Sequence, residues 1–235
     1  MGSPKVRVER MSEDTSFDYI SDMKEYYRSD DAAKKYQADF SDRGSWRHRI
    51  IANRERSVVR TLLRRVPHGE VLDIPTGTGK LAPVFAESGS DVVACDISES
   101  MLQTAKSEYH HLGPSNVQFQ ICDAEKISET LERGFDIAVC LRLLHRVPSD
   151  IKRKILRELG AVAGHVIVST AVKSQYHKVR RWIRRRLLSG DPRGNCYETP
   201  AVTKSIFTDG FDVITWKRVL PLFSQERVYL LRSDD

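Results

Sequence analysis

From Val71 onward the chain alternates short apolar runs with longer stretches whose apolar residues recur at helical spacing. This alternation predicts parallel strands joined by crossover helices, an α/β doubly wound sheet. The expected strands are Val71–Ile74, Asp91–Cys95, Val117–Ile121, Phe135–Cys140 and His165–Ser169, followed by Gly210 to about Val219 and Glu226 to Leu231. Between the second and third, Ser98 is placed to cap a helix with Met101, Leu102, Ala105, Tyr109 and Leu112 along one face. Between the fourth and fifth, Ile151, Ile155, Leu156, Leu159 and Val162 mark a second such face, and both stripes read as core.

Upstream of the sheet the pattern changes. Ile50, Ile51, Val58, Leu62 and Leu63 predict a helix between Trp46 and Val66, with arginines opposite and Pro67-His68-Gly69 as its stop. Phe17, Tyr19, Tyr26, Tyr27, Tyr36 and Phe40 recur among charges, which predicts one or two further helices outside the sheet, placed to act as a lid. Residues 1–12 are polar and aperiodic and read as a flexible tail. No repeat or Pro/Gly/Ser-rich linker divides the rest, so residues 13–235 read as one domain, with N-terminal helices over 13–66 and the core over 70–235.

The 235 residues include 40% hydrophobic residues, enough for one sizeable core, and a net charge of +6. No apolar stretch reaches the roughly 18 to 20 residues that span a bilayer, and the first residues lack a secretory pattern, so a cytoplasmic location is expected. Cys95, Cys122, Cys140 and Cys196 form no C-x-x-C pair and the seven histidines show no zinc-ligand spacing. Reduced, buried thiols and no metal are therefore expected.

The chemistry concentrates at Val71-Leu72-Asp73-Ile74-Pro75-Thr76-Gly77-Thr78-Gly79-Lys80, a strand running through a glycine turn into a helix. Gly77 and Gly79 can adopt positive φ and let a ligand approach the main chain. Asp96 lies 19 residues after Gly77 at the end of the second strand, where a carboxylate can accept both hydroxyls of an adenosine ribose. Asp123-Ala124-Glu125 follows the third strand. Two ligand classes compete here, because Gly77-x-Gly79-x-x-Ala82 with Asp96 also satisfies the dinucleotide fingerprint of an NAD(P)-dependent oxidoreductase. Asp73, four positions before Gly77, would oppose a pyrophosphate but suits the ammonium of a methionine moiety, and a terminal hairpin is unusual for dehydrogenases.

Leu72-Asp73 with Gly77-Thr78-Gly79, Asp96-Ile97-Ser98 with Met101-Leu102, Asp123-Ala124, and Phe135-Asp136 resemble the class I S-adenosylmethionine-dependent methyltransferases, in the small-molecule branch of ubiquinone and menaquinone methyltransferases. The resemblance covers roughly Val58 to Leu231 and implies a seven-stranded, mostly parallel sheet with an antiparallel last strand. It implies S-adenosylmethionine as cofactor, with Asp73 and Gly77 at its methionine end, Asp96 at the ribose, and Ile97, Asp123 and Ala124 at the adenine. Pro75, Thr76, Thr78, Gly79, Met101, Cys140 and Leu141 complete the expected cofactor-binding set. Pro75 departs from the family pattern, since it stands where most members carry the first glycine of the loop.

Methyl transfer needs alignment more than covalent help from the protein. Where the acceptor carries a proton, His145 in the run leaving the fourth strand is the candidate base, against a packed or capping role for the same ring; Arg142 is the candidate holder of an anionic substrate. The segment Lys173 to Gly190 places Tyr176, Val179, Trp182, Ile183 and Leu187 on one helical face and Lys178, Arg180, Arg181, Arg184 and Arg185 around the rest. This basic helical insertion reads either as a solvated helix packed on the core or as a surface for an anionic lipid or substrate, with peripheral contact at the inner membrane face. Nucleic acid is disfavoured because stacking aromatics are not interleaved with the cations. The expected acceptor is small or lipid-linked, and methylated at oxygen; a non-catalytic membrane- or RNA-binding module is the reading from outside enzymology.

Overall fold

The computed structural model describes residues 46–131, 134–173, 196–220 and 225–234. The expected tail, the helices expected before Trp46 and the basic helix beyond Lys173 lie outside the described residues.

Seven strands form one sheet: β1 (Glu70–Asp73), β2 (Asp91–Asp96), β3 (Val117–Ile121), β4 (Phe135–Cys140), β5 (Ala163–Ala171), β6 (Phe211–Arg218) and β7 (Glu226–Ser233), in the order β3-β2-β1-β4-β5-β7-β6. The first five pair in parallel, and β7 runs antiparallel between β5 and β6. The central strands are almost wholly buried because helices cover both faces, which is why β4 and β5 read as continuous apolar runs rather than as alternation.

On one face, α1 (Trp46–Leu63), α2 (Ala82–Ser88) and α3 (Glu99–Leu112) bury Val59, Leu62, Phe85, Ala105 and Tyr109 against Val71, Val92 and Ile137. On the other, α4 (Ile127–Thr130), α5 (Ser149–Val162) and α6 (Pro200–Phe207) bury Ile127, Ile155, Leu159, Ile206 and Phe207 against Leu72, Ala138 and Val166. Ser98 caps α3 as its position predicts, its hydroxyl accepting the Met101 N–H.

Three expectations change. Leu112 and Ile50 are exposed, because each sits at a helix end where the apolar stripe has already left the sheet. The first crossover helix begins at Ala82 rather than near Lys80, since the glycine turn extends to Leu81. Helix α6 was not anticipated, although Thr199 and Pro200 supply its start signal: the Thr199 hydroxyl accepts the Val202 N–H and Pro200 occupies the first turn. Among the described residues no helix is long and apolar enough to cross a membrane, and no cluster of His, Cys, Asp or Glu could hold a metal ion.

The neighbours of β1 lead away in opposite directions, β2 and β3 one way, β4 and β5 the other. Loops at the carboxyl ends of β1 and β4 therefore diverge, and the crevice they leave is where an open α/β sheet binds its ligand.

Candidate functional site

A cleft opens at that point, walled by the β1, β2 and β4 ends and roofed by α1. Asp73 ends β1 and is 2% exposed. Its Oδ2 accepts from Thr76 Oγ1 at 2.7 Å and from the Tyr109 hydroxyl at 3.0 Å. Burial nevertheless dominates and pushes the Asp73 carboxyl up to about 7, with the charge of Asp96 adding to it.

The Ile74–Pro75 bond is cis. After it, the Thr76 N–H donates to the Cys95 carbonyl at 2.7 Å, which ties the loop to β2. Gly77 has φ +57, and a Cβ built there meets nothing within 4 Å; the residue borders the cleft, so the missing side chain leaves room for a ligand. Its N–H donates to Asp96 Oδ2 at 2.9 Å, while Asp96 Oδ1 accepts the Ser98 N–H at 3.0 Å. Asp96 thus braces the turn and still faces the cleft with lone pairs to spare; burial raises its pKa.

Gly79 does something else. Its φ is +78, but a Cβ there would sit 3.1 Å from the Tyr109 ring and 3.2 Å from Ala105 backbone atoms, and the residue does not border the cleft. Its glycine serves the packing of the turn on α3 rather than contact with a cofactor. Pro75, Thr76, Thr78, Ile97, Met101 and Leu141 do border the cleft, as do Asp123 and Ala124 at the end of β3. Asp123 Oδ1 accepts the Glu125 N–H at 3.0 Å, holding that turn open toward the cavity. Cys140 does not reach it: the residue is fully buried in the core at the end of β4, and burial pushes its thiol up.

The two residues expected to act on the acceptor are placed differently. Arg142 borders the cleft in a left-handed conformation, φ 61. Such strain in a non-glycine residue persists only when its surroundings over-determine it. Two contacts do so: the Arg142 N–H donates to Ser169 Oγ at 2.8 Å, and the guanidinium grips both carboxylate oxygens of Glu55 on α1, with Nε to Oε1 at 3.1 Å. Arg142 is thus occupied by a protein carboxylate that is itself buried, and the pair ties α1 across the mouth of the cleft.

His145 lies in a single 3-10 turn, Leu144–Arg146, and does not border the cleft. Its Nδ1 is buried without a hydrogen-bond partner among the described residues, and its carbonyl accepts the Cys196 N–H at 2.8 Å. Burial, then Arg146, Arg142 and Lys152, push the imidazole down to about 3. The ring is neutral, weakly basic and outside the cleft, which corrects the expectation of a general base in favour of the packed alternative.

Sequence reasoning missed Glu55, Arg56 and Lys80, all of which border the cleft. Glu55 had a readable signal: it falls on the buried stripe of α1 between Ile51 and Val58-Val59, where an acid needs a partner. Lys80 had none beyond following the glycine turn. It is pushed down to about 7, chiefly by burial and by Arg142.

Residues 71–164 match a methyltransferase domain family. The ubiquinone biosynthesis O-methyltransferase of Acinetobacter baylyi is 28% identical over 102 residues, 43% of either chain, and that of Pseudomonas fluorescens is 32% identical over 103 residues, 43% of this chain and 44% of the relative. The matched stretch therefore spans less than half the length of these relatives. Magnesium protoporphyrin IX methyltransferase from Synechocystis, solved with bound S-adenosylhomocysteine, superposes with a TM-score of 0.74 over 90% of this chain and 98% of that one at 20% identity. Human N-acetylserotonin methyltransferase with S-adenosylmethionine gives 0.63 at 17% identity, over 91% of this chain and 59% of that one. The antiparallel strand set between β5 and β6 also departs from the 3-2-1-4-5-6 order of dinucleotide-binding sheets. Residues 71–164 are thus similar to a methyltransferase domain, and the strand order around them is that of the fold these solved methyltransferases share.

Proposed function

We propose that this protein transfers a methyl group from S-adenosylmethionine to a small-molecule acceptor, at oxygen. The observation that carries the reading is the pair of buried carboxylates, Asp73 and Asp96, facing one cleft on either side of the open Gly77 turn. Asp73 is suited to the ammonium of the cofactor's tail, and a cation there would draw its carboxyl back to the ionised form. Asp96 has acceptor capacity left for the ribose, and Ile97, Met101, Val147 and Ile155 offer an apolar slot for the base beside Asp123. Bound there, the cofactor supplies a methyl group already activated on a sulfonium. The chain's own task is to align the acceptor and exclude water, which α1, held by Glu55 and Arg142, does from above.

An acceptor that is anionic or lipid-linked fits the cationic rim of Arg56, Lys80 and Arg146 and the basic run from Lys173 to Gly190, and such a substrate would bring the enzyme to the cytoplasmic face of a membrane. The relatives whose names mention ubiquinone biosynthesis support this class. Calorimetry with S-adenosylhomocysteine and NAD(H), followed by a turnover screen over phenols, quinols and their lipid-linked forms, tests the reading. Binding of the dinucleotide in place of S-adenosylhomocysteine would end it.

A further inference from the structure

The buried stripe of α3 carries one polar side-chain group. Met101, Leu102, Ala105 and Tyr109 are all buried, and only Tyr109, 2% exposed, brings a hydroxyl into that core. A buried hydroxyl without a partner costs stability, so the partner it finds is informative. It donates to Asp73 Oδ2 at 3.0 Å, from 36 positions further along the chain. The ring that delivers it is held on two sides. It stands edge-on to Phe119 with centroids 5.5 Å apart, and its Cδ2 lies 3.1 Å from a Cβ built at Gly79, in space a side chain there would need. Phenylalanine would make those carbon contacts equally well. Packing therefore does not explain the hydroxyl, and Tyr109 does not itself border the cleft.

Asp73 is where the hydroxyl acts. The hydrogen bonds it accepts from Thr76 and Tyr109 both fall on Oδ2, while the residue borders the cleft. The carboxylate is thus pinned by one oxygen, and Oδ1 is left for a ligand. We propose that Tyr109 is a positioning residue for the cofactor's ammonium group: reaching Asp73 from behind, its hydroxyl keeps the carboxylate charged and turned toward the cleft. The inference rests on the methyl-transfer reading and adds to it a residue outside the cleft. Burial pushes Asp73 up to about 7, and the Thr76 and Tyr109 hydroxyls oppose that rise. Loss of one hydrogen bond to a carboxylate is about a tenfold change in its ionisation constant. Burial, then the charge of Asp73, holds the Tyr109 phenol well above its ordinary range, so it remains a donor throughout. The other titratable groups that face Asp73 are Asp96 and Cys95 from β2 and Cys140 from β4. The Cys122 thiol and burial push Cys95 up, and burial pushes Cys140 up, so both thiols stay neutral between pH 6 and pH 8.5. Asp96 accepts from Gly77 and Ser98 whichever residue stands at position 109.

The test is calorimetry on the wild type and Tyr109→Phe at pH 6 and pH 8.5, with S-adenosylhomocysteine and with 5′-methylthioadenosine, which lacks the amino-acid tail. Tyr109→Phe should bind S-adenosylhomocysteine about tenfold more weakly at pH 6 and within about twofold of the wild type at pH 8.5, where Asp73 is ionised in either protein. Methylthioadenosine should bind the two proteins alike, which also reports that the variant is folded. In an Asp73→Asn background, Tyr109→Phe should have the same effect at both pH values, because no charge is left to hold. A pH dependence that persists there moves the effect to another group and overturns the proposal. So does unchanged affinity at pH 6, a loss of equal size at the two pH values, or a loss shared by methylthioadenosine, while the methyl-transfer reading stands. A wild type that binds neither nucleoside overturns that reading as well.

Discussion

The two ends of the cleft are built by different means. At the cofactor end, Asp73, Gly77 and Asp96 are joined by hydrogen bonds within one turn and its neighbouring strand: Thr76 to Asp73, Gly77 to Asp96, Ser98 to Asp96. At the α1 end, the contact joins residues far apart in sequence, Arg142 to Glu55 across 87 positions, and outside the cleft Lys152 reaches Glu198 across 46 in the same way. Lys152 is 2% exposed and also donates to the Cys196 carbonyl, so it fastens the chain that returns from the basic segment. The first end is a preformed cradle in which two buried carboxylates accept hydrogen bonds from one turn and the strand end beside it; the second is held by an ion pair of distant side chains that is costly to bury and stable only as a pair. A scaffold of the first kind keeps one cofactor, while the second kind lets acceptor preference change with a few side chains.

The sharpest way to break the contrast is Arg142→Met. It strands the Glu55 carboxylate in a buried site, and a loss of about 3–5 kcal/mol in unfolding free energy is expected by urea denaturation. Glu55→Met combined with Arg142→Met should recover most of it. A double variant as unstable as Arg142→Met alone would show that the arginine acts through its packing and not through the pair.

Next come the two glycines of the loop. Gly79→Ala presses a methyl group onto Ala105 backbone atoms that cannot yield and adds positive-φ strain, for about 2–3 kcal/mol of stability. Gly77→Ala meets no neighbour and should cost about 1 kcal/mol, its effect falling instead on S-adenosylhomocysteine affinity. Equal melting temperatures for the two variants would refute the division of roles.

Asp73→Asn should separate stability from binding within the cradle itself. A carboxyl raised from 3.8 to about 7 by folding contributes stability that is complete below about pH 4 and is lost as pH rises to about 7. Removing it should flatten that part of the stability profile, Glu226 leaving a residual slope, and raise the melting temperature at pH 8 by several degrees, about 1–2 kcal/mol. S-adenosylhomocysteine affinity should fall at least tenfold in the same variant. A steeper pH profile, or unchanged affinity, would remove Asp73 from the ammonium site.

The smallest effect is expected at Arg232→Ala. Its partner Asp212 is as exposed as the arginine, and a change of about 0.5 kcal/mol or less is expected at this outer edge of the sheet. A cost comparable to that of Arg142→Met would mean that burial does not set the difference between the two ends.

The strands, their order of appearance and the cradle were legible in the sequence because each is encoded locally. Apolar runs of strand length mark β1, β2 and β4, and the Asp73 to Gly79 turn carries its own backbone requirements in residues that are chain neighbours. Even the second role of a glycine was hidden, since Gly79 and Gly77 look alike until Tyr109 and Ala105 of α3 are packed against one of them. Only the folded chain decided that Cys140 turns into the core, that His145 sits neutral outside the cleft and that Arg142 is claimed by Glu55. Those outcomes depend on which side chain reaches which partner 87 positions away along the chain, and on how far burial shifts a proton. Both quantities arise from three-dimensional neighbours, which spacing along a single chain does not specify.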